Sequence, residues 1–133
     1  MKFKYNNALV IAGYSLELVS ELKDLHKELQ LKNEPFKTAT GSKYDLSIVQ
    51  EKYGILTIEG ITDAPIVDDI TTLAKTYPQL EFEYFFDNNV ESNKPTDGDF
   101  QAGIYSYELG VAIYEEEIEN ADENDVELLF DQY

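Results

Sequence analysis

The chain has 133 residues, of which 27 are acidic and 10 basic, all ten of them Lys, so its formal charge is −17 while 43% of it is hydrophobic. That length and apolar content predict one domain over residues 1–133 with a real core, and the charge excludes direct binding to nucleic acid or anionic membrane while favouring basic partners. Without Cys, and with His26 as its one histidine, the chain has no disulfide, thiolate metal site or histidine cluster, and neither a metal nor a cofactor is expected.

The N-terminal Met1 to Asn7 carries lysines but is followed by a short apolar run, Ala8 to Ala12, that Gly13 breaks. Such a run is too short for a signal segment or a membrane span, and a cytoplasmic location is the expectation. Ala8 to Ala12 reads as a buried strand. Ser15 is a fitting N-cap for a helix to about Leu31, in which Leu18, Leu22, Leu25 and Leu29 share one face. Residues 32–43 have the composition of a loop. Tyr44 to Gln50 and Ile55 to Ile61 then predict a hairpin around Glu51 to Gly54.

Thr62 or Asp63 is the expected cap of a second helix with Pro65 in its first turn, a stripe of Ile66, Ile70, Leu73 and Tyr77, and a stop at Pro78. Asp68 and Asp69 fall off that stripe as solvated charge. From Gln79 to Asp87 the period is two: Leu80, Phe82, Tyr84 and Phe86 occupy one face of a strand, Glu81, Glu83 and Asp87 the other. Asn88 to Gly98 reads as a polar, mobile loop. Phe100 to Tyr107 and Val111 to Ile118 predict a second hairpin, with Gly110 supplying a positive φ at its turn. Residues 120–133 predict a short helix docked through Val126, Leu129 and Phe130.

This order of elements predicts an α+β fold: a ferredoxin-like sandwich, an antiparallel sheet with two helices on one face, plus an added C-terminal hairpin and short helix. Gly41-Ser42-Lys43-Tyr44-Asp45, Pro65, the run from Tyr77 to Tyr84, Phe100-Gln101-Ala102-Gly103 and the Gly110 turn resemble the YubB-like ferredoxin-like proteins of conjugative plasmids and phages, over about residues 38–118. Ser42 and Tyr44 stand where that family usually has Thr and Trp, and Gln101 is an added residue. The resemblance implies a mobile-element origin, where small proteins often act against host defence, and it brings no reaction with it.

The charge is unevenly spread: residues 1–94 hold 15 acids and all ten lysines, whereas residues 95–133 hold 12 acids and no base. No phosphate-binding loop, nucleophile elbow, zinc motif or calcium loop is present. Two function classes remain. One is a non-enzymatic interaction protein that mimics nucleic acid and inhibits a host defence nuclease or nucleoprotein complex, as an anti-CRISPR or anti-restriction protein would, by occupying the basic surface of a nucleic-acid-binding protein or ribonucleoprotein. Its expected partner-binding residues are Glu115, Glu116, Glu117, Glu119, Asp122, Glu123 and Asp125, in an acidic segment of about residues 115–133, supported by Glu81 and Glu83. The other is a small-ligand-binding or enzymatic ferredoxin-like domain using the sheet face or the loop of residues 88–98.

Overall fold

The computed structural model describes residues 3–13, 46–52 and 54–132. Six strands and two helices fall within them: β1 (Tyr5–Ala12), β2 (Leu46–Lys52), β3 (Ile55–Thr62), α1 (Val67–Thr76), β4 (Glu81–Asp87), β5 (Phe100–Glu108), β6 (Val111–Ala121) and α2 (Glu123–Gln132). The helix expected over residues 15–31, His26 and the Gly41 to Asp45 motif lie outside the described residues.

All six strands join one sheet in the order β2-β3-β1-β4-β5-β6, with every neighbouring pair antiparallel. The architecture is therefore an open antiparallel sheet of the α+β class. Its alternating side chains divide the interior into two clusters on opposite faces. On one face, Leu9 and Ile11, Leu56 and Ile58, Phe82, Tyr84 and Phe86, and Tyr105 and Tyr107 pack beneath Ile66, Ile70 and Ala74 at α1. On the other, Phe100, Ala102 and Ile104 of β5 pack against Val126 and Leu129 of α2, with Phe85, Ile118 and Phe130 at the margin. Fully burying side chains of this size stabilises the fold by about 1.5–3 kcal/mol each.

The run from Glu81 to Asp87 alternates strictly between half-buried and buried positions, as its period predicted. The C-terminal helix docks through the three residues expected of it. The start of α1 differs from expectation: Ile66 occupies the N-cap position without a side-chain cap bond, and Pro65 precedes the helix. Thr62 instead donates its hydroxyl to the Ala64 carbonyl at 2.6 Å and accepts from Asn7 Nδ2 at 2.8 Å, so it serves the end of β3. The Ile66 N–H meets the hydroxyl of Tyr84 at 3.1 Å, and that hydroxyl donates to Asn7 Oδ1. A tyrosine from the sheet thus satisfies the helix start.

The loop after β4, polar as expected, carries two buried asparagines. Asn88 is fully buried; its amide nitrogen donates to the Asp99 carbonyl at 2.9 Å and its oxygen accepts the Gln101 N–H at 2.9 Å. Asn93, buried as well, bonds the Lys4 carbonyl at 2.6 Å and the Asn88 carbonyl at 2.7 Å, while its oxygen accepts the Lys4 N–H at 2.8 Å. Two asparagines therefore tie this loop to β5 and to the chain start, because buried amides are costly unless paired.

Candidate functional site: an acidic sheet edge

The hairpin of β5 and β6 turns at Leu109 and Gly110, with φ of 53° and 78°. Positive φ at both central residues is the pattern of a type I′ turn, whose twist suits a hairpin. Pairing then runs Glu108 with Val111 and Tyr107 with Ala112, after which the register slips so that Ser106 faces Tyr114. Ile113 is the extra residue. Such a bulge moves every later side chain to the opposite face from the one a regular ladder would give.

Beyond the bulge, Tyr105 pairs with Glu115, Ile104 with Glu116, Gly103 with Glu117 and Ala102 with Ile118. Glu115 and Glu117 consequently share the face of Tyr105 and α1, and Glu119, two residues on, follows them. Glu116 shares the face of Ile104 and α2. Because Glu83 pairs with Ser106, Glu81 and Glu83 belong to this second face as well. Strand alternation thus divides the six expected strand glutamates three and three. Glu115, Glu116, Glu117 and Glu119 still line one edge: β6 is the last strand of the sheet among the described residues, and eight of its eleven residues are exposed, with Glu116, Ile118 and Ala121 half-buried, whereas Glu81 and Glu83 stand two strands in, on β4.

Asp122, Glu123 and Asp125 continue the edge into the first turn of α2. Part of their role is local. The Asp122 N–H donates to Asp125 Oδ2 at 3.0 Å, one half of a capping box, and Asp97 Oδ1 accepts the Glu123 N–H at 3.3 Å. Carboxylates at this position also suit the helix dipole.

Sequence reasoning missed several residues that complete the edge. Glu108 joins Glu81, Glu83, Ser106, Ile113 and Tyr114 around a groove of about 380 Å³ beside the hairpin. Tyr114 donates its hydroxyl to Glu116, and Tyr105 hydrogen-bonds Glu117. Burial, then that bond and the charges of Glu117 and Glu115, push the Tyr105 phenol well above its ordinary value. The signal for Glu108 was its place beside the Gly110 turn; the tyrosine contacts depend on the bulge and had none.

Among the described residues the one ion pair is Lys4 with Asp63, 4.0 Å apart and exposed on both sides. No three His, Asp or Glu of the described residues gather to hold a metal ion. A further groove, about 510 Å³, lies on the sheet face between Asn6, Glu59, Ile61, Phe85 and Asp87. No described helix is long and apolar enough to cross a membrane. No family model matches the chain, and no curated protein or solved structure is significantly similar to it.

Proposed function

We propose that this chain is a non-enzymatic interaction protein whose acidic edge imitates a nucleic-acid strand and occupies the basic surface of a nucleic-acid-binding protein or ribonucleoprotein. One observation carries the reading. Glu115, Glu116, Glu117 and Glu119 follow one another along β6, and a strand advances about 3.3 Å per residue. One strand of duplex DNA carries a phosphate about every 3.4 Å along its axis. Counted over both faces the edge therefore offers a comparable linear charge density, with Glu115, Glu117 and Glu119 about 6.6 Å apart along the α1 face and Glu116 on the other, and Asp122, Glu123 and Asp125 prolong it. Glu81 and Glu83 widen the field on the α2 face.

The finer fold belongs to the same proposal. The order β2-β3-β1-β4, antiparallel throughout, is the order a ferredoxin-like β-α-β-β-α-β core produces, with β5, β6 and α2 added beside β4. A ferredoxin-like core is in keeping with the resemblance to YubB-like proteins of plasmids and phages. An inhibitor of a host nuclease, restriction enzyme or CRISPR effector is the role such a setting favours.

The test is competition. A partner captured from bacterial lysate at low salt is purified, loaded with fluorescent nucleic acid, and titrated with this protein. The expected result is displacement that weakens steeply as salt rises and weakens again when Glu115, Glu116, Glu117 and Glu119 become Gln. Displacement indifferent to salt and to the four substitutions, or simultaneous binding of protein and nucleic acid, overturns the reading.

A further inference from the structure

Within the reading just proposed, on which this inference rests, we infer that β6 accepts an added strand: an extended segment of the partner, basic at alternate positions beside Glu115, Glu117 and Glu119 and apolar where it passes Val111 and Ile113. Three features of the edge lead there.

The first is the backbone. β6 has eleven residues and pairs with β5 on one side, being last in the sheet among the described residues. Every second residue of an edge strand turns its N–H and C=O away from its neighbour, which makes a long edge a template for another chain. Strands average five or six residues, so this edge is long. Between the bulge at Ile113 and the positive φ of 52° at Asn120, pairing from Tyr114 to Ile118 runs without a slip. That regular stretch is where an incoming strand finds continuous partners.

The second feature is charge, which selects the occupant. A second copy of β6 would bring like carboxylates opposite one another, an arrangement that destabilises a strand pair. The same glutamates favour Lys or Arg at alternate positions of a different strand. The carboxylates thus discourage self-association and leave the edge open to a basic chain.

The third feature is independent of charge. Val111 is 59% exposed and Ile113 56%, at the end of β6 nearest the turn. Exposed aliphatics beside a charged run give the occupant a polarity, with apolar residues at one end and bases at the other. Strand addition uses this division of labour: backbone bonds supply affinity, and side chains at alternate positions supply specificity.

The probe is a labelled nine-residue peptide, Val-Thr-Val-Lys-Thr-Lys-Thr-Lys-Thr, together with its reversed sequence to cover both strand directions. Each is also made in two N-methylated forms, methylated on one or the other alternate set of amides. The expected result is that one methylated form of the binding peptide loses about a hundredfold in affinity while the other keeps it, because one set of amides alone faces β6. Outward-facing β6 amides gain protection from hydrogen exchange in the complex. Glu115→Gln, Glu117→Gln and Glu119→Gln combined, all exposed changes, weaken the parent peptide about tenfold at low salt, and Ile113→Lys weakens it too. Equal binding of both methylated forms overturns strand addition yet leaves the competition experiment above untouched; failure of every peptide at low salt overturns it as well. Loss of nucleic-acid competition with methyl-sensitive peptide binding retained would instead sink the mimicry reading alone.

Discussion

Gly103→Ala is expected to destabilise the protein although it adds a single methyl group to a strand. Gly103 lies on β5 between Phe86 of β4 and Glu117 of β6. A Cβ built there would come within 2.3 Å of Phe86 Cε1 and 2.6 Å of Cζ. The ring has little freedom to retreat: Phe86 is 4% exposed, and it is held by Tyr5 at 6.1 Å, Tyr84 at 5.9 Å and Tyr105 at 6.5 Å between ring centroids. Overpacking of this kind costs about 1–3 kcal/mol. Against it, loss of glycine's freedom in the unfolded chain returns about 0.4–1 kcal/mol. The net expectation is a loss of about 1–2 kcal/mol, or about 3–7 °C in Tm for a chain of this size. Urea unfolding followed by circular dichroism measures it. Phe86→Leu opens the space that the methyl group needs, so the double variant should be more stable than the sum of the single losses implies, by about 1 kcal/mol or more. A Gly103→Ala protein within about 0.3 kcal/mol of the parent, or a strictly additive pair, would refute the packing argument.

Leu109 is 81% exposed and holds a φ of 53°, a region that disfavours branched side chains. Leu109→Asn, which gives the Asn-Gly pair preferred in such turns, should therefore stabilise the protein by about 0.5–1 kcal/mol, seen as a higher urea midpoint. A second expectation concerns alkaline pH. Burial raises the phenols of Tyr105, Tyr107 and Tyr5, and for Tyr105 the Glu117 bond and the nearby glutamates add to it. A phenol whose folded value lies above its unfolded value of about 10 contributes stability that is complete below that pH and is lost as pH rises beyond it. Phenolate absorbance from these residues should thus appear together with loss of the far-ultraviolet dichroism, and Tyr105→Phe should make the alkaline decline shallower. Titration of all ten tyrosines near pH 10 with the dichroism unchanged would contradict this.

Much of the fold was legible because single elements announce themselves through period and punctuation. The alternation from Leu80 to Phe86 needed a sheet with one apolar face. The spacing of Val126, Leu129 and Phe130 needed a docked helix. Gly110 marked a turn with positive φ. Less legible was β5, where Tyr105 and Tyr107 alternate with Ile104 and Ser106, so neither face reads as plainly polar. The reason is tertiary: α1 covers one side of β5 and α2 the other, and Phe100 and Ala102 to Tyr107 are buried accordingly. Asn88 and Asn93 lie in the expected loop, but their burial was not legible, since composition cannot distinguish a solvated amide from one that bonds a distant backbone.

The acidic run shows the division most clearly. Sequence by itself determined that Glu115, Glu116, Glu117 and Glu119 are dense, uncompensated by any base in residues 95–133, and placed on an extended segment after a tight turn. Their distribution between the two faces was decided by one inserted residue, Ile113, and counting from the Gly110 turn without it puts each of them on the wrong side. The position of β6 at the end of the sheet was likewise decided only by which strands found partners. Local periodicity is set by neighbouring covalent geometry, whereas register and edge status arise from pairing between segments far apart in the chain, where the whole sheet selects the arrangement that buries its apolar faces.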